Sequence, residues 1–461
     1  MMNFLANAVF FISIFFVVYL LIYATFAFLA VAVGAYTLRN KERMQVLKNE
    51  LKHTTIPISI IVPAYNEAPV IIKSIKSLLS LEYQLYEIIV VDDDSNDDTS
   101  QLLIDEFDLK FFNRPINCLL ECKPHLAVYE QMIGNVNLTL IRKQNGGKAD
   151  ALNMGINASR YPYFICMDAD SFLQKDSLEK IVQPILEDDA TVSVGGMILI
   201  SQCVKIEDGM AVSYKLPSNL LVSMQAVEYD RTFLGSRILF DSFNGNLIIS
   251  GAFGLFKKSV VVSAGGYDNS NMGEDMELAL KIHVYCRNND IKYRIRYASD
   301  AVCLTQAPSH VKELVGQRRR WHVGMFQCMR EHWQIFLNLR FGVVSLLSFM
   351  YYLLYELLSP IVEIVGIASI VVAAHLNILN VRFMIIFLGL YAVYGIVLSL
   401  CIFSQHIYQQ KFKLSVLDLI KAFFVCLLEF TFFRYLLLFS RIQGFVRYRK
   451  HKKAWGAIKR D

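Results

Sequence analysis

Charged side chains are scarce in this chain of 461 residues, at 19% against 54% hydrophobic. A balance that apolar excludes a single soluble domain. Cysteine is thinly spread as well. Of the nine cysteines only Cys118 and Cys122 lie close together, with His125 nearby and no second ligand pair at zinc-site spacing. That argues against a disulfide framework or structural zinc and for a reducing setting around the middle of the chain, with the cysteines serving as small buried hydrophobes. No charge interrupts Phe4 to Tyr36, a run of roughly 30 residues that can cross a bilayer with tilt to spare. No basic residue precedes Phe4, as a cleaved signal peptide would require, so the run reads as an uncleaved anchor. The Walker spacing is also missing, which rules out a P-loop.

The formal charge of +5 comes largely from basic segments beside the apolar ones. Arg39, Lys41, Arg43, Lys48 and Lys52 follow the first run, and Arg441, Arg447, Arg449, Lys450, Lys452, Lys453 and Lys459 follow the last. The positive-inside rule places both clusters in the cytoplasm. Because each abuts a membrane segment, they argue for a lipid surface and against nucleic acid as a partner. Four further apolar runs follow Arg340: Phe341 to Leu358, Ile361 to Leu376, Phe383 to Phe403 and Val416 to Phe439. With the anchor they predict five crossings, the second of the four being short enough to be re-entrant or tilted. Glu356, Glu363, Lys421, Glu429 and Arg434 fall inside these runs. They suit a polar path or helix-to-helix pairing equally well.

Between the apolar ends the chain alternates strand and helix patterns. Ile58 to Glu67 reads as a strand running into a turn, and Val70 to Leu81 as a helix. Tyr86 to Ser95 is a second strand, Asp97 to Glu106 a second helix. Such β-α-β-α order argues for a parallel sheet with right-handed crossovers, whose carboxyl edge gathers Tyr65, Glu67, Asp93 and Asp94. Residues 110–138 show no clear period. Leu138 to Lys143 is a strand, and Gln144-Asn-Gly-Gly-Lys148 a glycine turn opening a helix, where a lysine suits phosphate. Tyr161 to Ser171 reads as a buried strand delivering Asp168 and Asp170 to the sheet edge. Residues i and i+2 of an extended chain point the same way, so both carboxylates can face one divalent cation carrying a sugar-nucleotide diphosphate. A polar turn closing a strand would look the same. A helix over Lys175 to Gln183, stopped by Pro184, and a strand over Thr191 to Ile200 follow. The two glycines of Ser250-Gly-Ala-Phe-Gly254 let backbone press on a ligand. Glu274 and Asp275 open a helix, where an acidic pair can simply cap. Gln317-Arg-Arg-Arg-Trp321 lies in a basic amphipathic stretch suited to a membrane surface.

Taken in order, the strand end at Tyr65 and Glu67, Asp-Asp-Asp-Ser around Asp93, Gly-Gly-Lys148, Asp168-Ala-Asp170, Gly273-Glu-Asp275 and Gln317-Arg-Arg-Arg-Trp321 form a series. It resembles that of the processive, membrane-bound family 2 glycosyltransferases, which include the cellulose, hyaluronan, chitin and poly-N-acetylglucosamine synthases. The tail at Trp455-Gly456 is also similar to bacterial members. The resemblance implies an α/β domain of GT-A type, a Rossmann-like nucleotide-sugar domain inserted between transmembrane helices. The expected division is an anchor at 1–38, a catalytic domain at 39–309, interface helices at 310–340, membrane helices at 341–440 and a basic cytoplasmic tail at 441–461.

By that resemblance Tyr65, Glu67 and Asp93 belong to the nucleoside pocket and Lys148 sits near the diphosphate. Asp170 would hold Mg2+ or Mn2+, with Asp168 touching metal, nucleotide or sugar. Asp275, beside Glu274, would be the general base. Arg320 would lie near the diphosphate, with Gln317 and Trp321 at the acceptor. Many members carry Thr where this chain has Gly273. The chemistry independently wants these types: cations for a leaving diphosphate, and a carboxylate to deprotonate a sugar hydroxyl. A single displacement inverts the anomeric centre, so an α-linked donor gives a β-linked product. A glycosidase would need neither the lysine nor the anchor. The resulting expectation is a UDP-sugar polymerase, with UDP-N-acetylglucosamine ahead of UDP-glucose, acting on a growing glycan, with an accessory export subunit as a candidate partner. The alternatives are a synthase that adds single sugars to a membrane lipid and a non-catalytic nucleotide- or glycan-binding subunit.

Overall fold

The computed structural model describes residues 2–47, 55–413 and 415–446. Lys48, Lys52 and the tail from Arg447 on, including Trp455 and Gly456, lie outside the described residues. A long helix, α1 (Met2–Leu47), runs past the boundary expected at 38 and leads to an α/β block. Its first half is β1 (Ile58–Ala64), α2 (Ile71–Leu79), β2 (Tyr86–Asp92), α3 (Thr99–Phe107), β3 (Lys110–Phe111), β4 (His125–Ile133), β5 (Val136–Lys143), α4 (Lys148–Ala158) and β6 (Tyr163–Cys166). The second half is β7 (Phe172–Leu173), α5 (Ser177–Glu187), β8 (Thr191–Ile200), the hairpin β9 (Val204–Glu207) and β10 (Met210–Tyr214), α6 (Leu220–Asp230) and α7 (Arg237–Ser242). Then come β11 (Gly254–Lys257), α8 (Lys258–Ser263), α9 (Glu274–Asn288), β12 (Arg294–Thr305) and α10 (Val311–Glu331).

Ten strands form one mixed sheet in the order β3-β4-β5-β2-β1-β6-β11-β8-β12-β7. The parallel centre β5-β2-β1-β6 is built from near-continuous apolar runs, because helices cover both of its faces. Ile71, Ile75 and Leu78 of α2 supply one layer of that cover, at the spacing of one helical face. Residues 110–138, which show no period, form β3, β4 and the start of β5: an antiparallel edge turning at Gly134, whose φ is +59°. Two expectations are corrected. Helix α5 passes through Pro184 instead of stopping there, and ends one turn later at Glu187. The lost hydrogen bond falls in its last turn, where burial of Ile181, Val182 and Ile185 holds the helix in place. Asp168 and Asp170 lie beyond the end of β6 in a turn closed by Ser171 N–H on Asp168 C=O at 3.1 Å. The alternation of an extended strand therefore does not set their directions.

After α10 run α11 (Ser359–His375), α12 (Val381–Gln409), α13 (Val416–Leu428) and α14 (Arg434–Val446). Among the described residues, two helices are long and apolar enough to cross a membrane, Asn7–Lys41 and Val381–Gln409. Val344–Leu357 and Ser359–His375 form a pair bent by 53°, which makes three if the pair is one span. Five crossings are expected from the sequence; by length and composition the described helices supply two, or three with the bent pair. Two apolar runs merge into one broken element because Pro360 opens α11 and the preceding run is wound as π-helix. The last run, 416–446, is helical without interruption and carries a π-helical turn at Glu429–Phe433 between α13 and α14.

The charges in these runs are paired. Glu429 takes a two-pronged bond from Arg231 at 2.7 and 2.8 Å. Glu363 meets Arg434 at 3.1 Å and Glu356 meets Arg441 at 3.0 Å. Lys421 donates to the carbonyls of Leu216 and Pro217. Of the two uses open to them, element-to-element pairing is the one these contacts make. Arg231 follows α6, and the neighbouring Asp230 meets His406 of α12 at 3.0 Å. The segment 220–242 therefore ties the α/β block to the apolar helices, and Lys41 adds an ion pair to Asp300.

Candidate active site

Lys148 is the first residue of α4, and Gly147 before it adopts φ +91°, a left-handed value that favours glycine. The turn is held from beneath by Asp93. One Asp93 oxygen accepts from Lys143 Nζ at 2.6 Å and Gly146 N–H at 3.0 Å, the other from Gly147 N–H at 2.6 Å. Lys143 is fully buried and also meets Asp150 Oδ1 at 2.6 Å, so two carboxylates share one cation under the loop. Asp93, expected in the nucleoside pocket, is thus itself buried and occupied with loop donors. Sequence reading missed Lys143 and Asp150. The signal was present: Lys143 shares a strand face with Ile141, which points it inward while Arg142 points out.

With its ammonium so placed, Lys148 Nζ sits 2.7 Å from Asp168 Oδ1 and 3.0 Å from Glu274 Oε1. Burial would lower its pKa, but the two carboxylates hold it well above the ordinary lysine range. The opposite wall is Gly251, where a Cβ would stand 3.2 Å from Lys148 Nζ and 3.8 Å from Asp275 Cβ. Gly251 thus lets the backbone lie against the Lys148 ammonium, while Gly254 packs against Ile249 and Phe256. Burial, and then the charge of Asp168, push the Asp170 carboxyl up to about 6. Burial and then Glu274 do the same to Asp275, also to about 6, against the pull of Lys148 and Arg237. Lys148, Asp168, Asp170, Glu274 and Asp275 thus form one electrostatic cluster. Arg237, overlooked in the sequence, donates to Ile248 C=O behind the Gly251 stretch.

Tyr65 and Glu67 follow the end of β1, the strand next to β6. Glu67 N–H donates to Thr99 Oγ1 at 2.8 Å, and Asn96 donates to the Tyr65 hydroxyl at 3.3 Å. From α10, Arg320 has a pKa lowered by burial and by Arg319, with Glu274 opposing, so it shares the field of the cluster. It makes no ion pair among the described residues. Trp321 is 45% exposed, with the Arg318 guanidinium 4.4 Å from its ring centroid. Arg318 is fixed in turn by Glu228 at 2.6 and 2.9 Å. Only the first and last positions of the motif and Arg320 were singled out from sequence, yet Arg318 is what supports the indole. No hydrogen bond among the described residues joins Trp321 to the carboxylates.

A pair of adjacent carboxylates with a lysine on one of them, and a further acid at a helix start, suits a divalent cation completed by phosphate and water oxygens. Among the described residues no group of three or more His, Cys, Asp or Glu side chains could hold a metal unaided. The family comparison decides the wider identity. The model described as glycosyl transferase family group 2 matches residues 163–400, and glycosyl transferase family 2 matches 59–118. The chain belongs to glycosyl transferase family group 2. It is 28% identical over 281 residues to a poly-beta-1,6-N-acetyl-D-glucosamine synthase of Staphylococcus epidermidis, covering 60% of this chain and 56% of the relative. To a Staphylococcus aureus synthase of the same description it is 28% identical over 58% of this chain and 54% of the relative. The matched part is thus little more than half the length of these relatives. Among solved structures, a mannosyltransferase from Pyrobaculum calidifontis in complex with GDP-Man and Mn2+ aligns with a TM-score of 0.51 at 18% identity, over 85% of this chain and 97% of that one. The block is a GT-A glycosyltransferase fold, and in this family member the candidate site lies at the carboxyl ends of β1, β2 and β6, as open α/β sheets place theirs.

Proposed function

We propose that the chain is a membrane-embedded, inverting glycosyltransferase that polymerises a β-linked polysaccharide from a UDP-sugar. The observation that carries this is Lys148 bridging Asp168 and Glu274 with Asp275 alongside, joined to the family membership. The Staphylococcus relatives are poly-beta-1,6-N-acetyl-D-glucosamine synthases, which favours UDP-N-acetylglucosamine over UDP-glucose and a glycan over a lipid as acceptor. The catalytic block would face the cytoplasm, with the amino terminus of α1 outside, as the basic flanks suggest. Passage of the product through the membrane helices, help from an export subunit and the expected domain boundaries belong to the same proposal.

In this reading the acceptor hydroxyl, resting on Trp321 and Gln317, attacks the anomeric carbon. Its oxygen forms the new glycosidic bond as the bond to the diphosphate breaks, and its proton passes to Asp275. A carboxyl near 6 is ionised at neutral pH yet basic enough to accept that proton. Lys148 and Arg320 offset the charge growing on the diphosphate. Asp170 and Asp168 would hold Mg2+ or Mn2+, which would supply further charge at the diphosphate. Tyr65 and Glu67 form the nucleoside wall, while Asp93 works at one remove by shaping the glycine turn.

The test is nucleotide release by the membrane-reconstituted chain across a panel of UDP-sugars with Mg2+ or Mn2+, with product size read by mass spectrometry. Release with one donor and a ladder of sugar units, both lost in Asp275→Asn, is the expected result. A single sugar on an extractable lipid would replace polymerisation with glycolipid synthesis. Nucleotide binding without release from any donor would favour a non-catalytic subunit.

A further inference from the structure

The Gln317–Trp321 motif spans little more than one turn of α10, but the helix face that carries it goes on. Gln317, Arg320, Gly324, Gln327 and Glu331 follow one another in steps of three and four residues, which is a single stripe of an α-helix. The far half of that stripe grips the loop that leads into Asp275. Gln327 Oε1 accepts from Met272 N–H at 2.9 Å. Glu331 Oε2 accepts from Asn271 Nδ2 at 2.8 Å, and Asn271 Oδ1 accepts from Gly273 N–H at 2.9 Å. Cys328 Sγ lies 3.4 Å from both Asn271 Oδ1 and Gly273 C=O.

At Gly324 the two backbones touch. A Cβ there would come within 2.6 Å of Gly273 N and 2.9 Å of Met272 C, and one on Gly273 would stand 3.1 Å from Gly324 C. Neither glycine has the left-handed φ that would demand one, so what each residue provides is space. That gives a physical reason for Gly324, where a Cβ would collide with the Gly273 backbone, and leaves Gly273 tightly packed against the helix. Gln327 lies about 9 Å along the axis from Trp321, on a segment of continuous helix.

We propose that Gly324 and Gln327 are positioning residues for the transfer reaction: they lock the Asn271–Gly273 loop to α10, so that one rigid helix sets the place of the base Asp275 relative to the acceptor platform at Trp321. This rests on the reading of Asp275 as base. Among the described residues Gln327 and Gly324 touch neither Lys148 nor Asp168, and the loop reaches Lys148 only through the Glu274 side chain that follows it, so loss of the lock should bear on proton transfer far more than on nucleotide binding.

The experiment compares Gln327→Met, Gln327→Glu and Gly324→Ala with the parent in the full reconstituted chain. It reads kcat and donor KM for UDP release, UDP affinity by calorimetry, and amide exchange at 271–273. Asp275→Asn is scored first; if it releases nucleotide like the parent, the base assignment fails, separately from the lock. The lock predicts that Gln327→Met and Gly324→Ala lower kcat by about tenfold or more, with donor KM and UDP affinity within about twofold. Exchange at Met272 and Gly273 quickens while α4 is unchanged. Gln327→Glu, which keeps an acceptor for Met272 N–H, recovers most of kcat. Unchanged exchange at 271–273 in Gln327→Met overturns the lock even without an activity reading. So does a kcat within about twofold of the parent, a parallel fall in kcat and UDP affinity, or a Gln327→Glu variant no better than Gln327→Met.

Discussion

Replacing Lys148 by Met tests the site where its charges are densest. The side chain is 14% exposed and its ammonium touches Asp168 at 2.7 Å and Glu274 at 3.0 Å. Methionine fills similar space and leaves Asp168, Asp170, Glu274 and Asp275 with only the more distant Arg237 and Arg320 to offset their charge. Stranding buried carboxylates costs about 3–5 kcal/mol, but Asp168 is 35% exposed and solvent screens its share. A stability loss of about 2 kcal/mol is therefore expected. Loss of one preorganised charge at a developing anion lowers kcat by about 10²–10³, or about 3–4 kcal/mol. The sharper readout is pH. Lys148 pulls the Asp275 carboxyl down from where burial and Glu274 push it; without it that carboxyl rises above about 6. The base works only when ionised, so the acid limb of the rate profile moves to higher pH, by about one unit. UDP release measured from about pH 5 to 9 shows the limb directly, with Lys148→Arg as the charge-keeping control that leaves it in place. An acid limb unmoved in Lys148→Met, or a fall in kcat of less than about threefold, refutes the reasoning.

Asp275→Asn should abolish release while raising the melting temperature near neutral pH. A carboxyl raised in the folded state costs stability once pH exceeds that raised value, here on the order of 3 kcal/mol, and the cost fades as pH falls through about 6 to the ordinary carboxylate range. Melting curves of both proteins at two pH values check the sign. Lys143→Met strands buried Asp93 and Asp150 and should cost about 3–5 kcal/mol, seen as a lower melting temperature with faster amide exchange at Gly146 and Gly147. Arg318→Met removes the support under Trp321 and should raise acceptor KM by about three- to tenfold, with donor KM unchanged. Glu429→Gln should destabilise the detergent-solubilised chain by about 3 kcal/mol, and Arg231→Gln combined with it should recover most of that loss.

How much of this was legible in the sequence depends on the range of the interaction. The central strands and their crossover helices are local: each apolar run ends in a polar turn, and β2, β8 and α4 begin or end where pattern alone puts them. Asp168, Asp170, Lys148 and Asp275 were legible as residue types that the chemistry needs. The bridge of Lys148 to Glu274 was not, because it joins positions 126 residues apart (274 − 148), and no periodicity relates them. The misreading of α5 has a plain cause: Pro184 was judged by intrinsic propensity, whereas packing carries the helix through it. The charges in the apolar runs are the same problem reversed: their partners, such as Arg231 for Glu429, lie far away in sequence.

The two lysines under and beside the glycine turn divide the electrostatic work. Lys143 is wholly enclosed by Asp93, Asp150 and the Gln144 carbonyl, with no access to a ligand, so its charge is spent on the shape of the turn. Lys148, five residues on, is set by that shape at the start of α4 with its carboxylate partners only part-buried. A phosphate arriving there can compete for Lys148 but not for Lys143. The turn thus keeps its form, and in the proposed reaction the outer lysine would trade Asp168, which stands beside Asp170, for a diphosphate. In that reading Asp168 and Asp170 would hold the cation more freely once the diphosphate draws on Lys148, because the same ammonium cannot fully serve both anions.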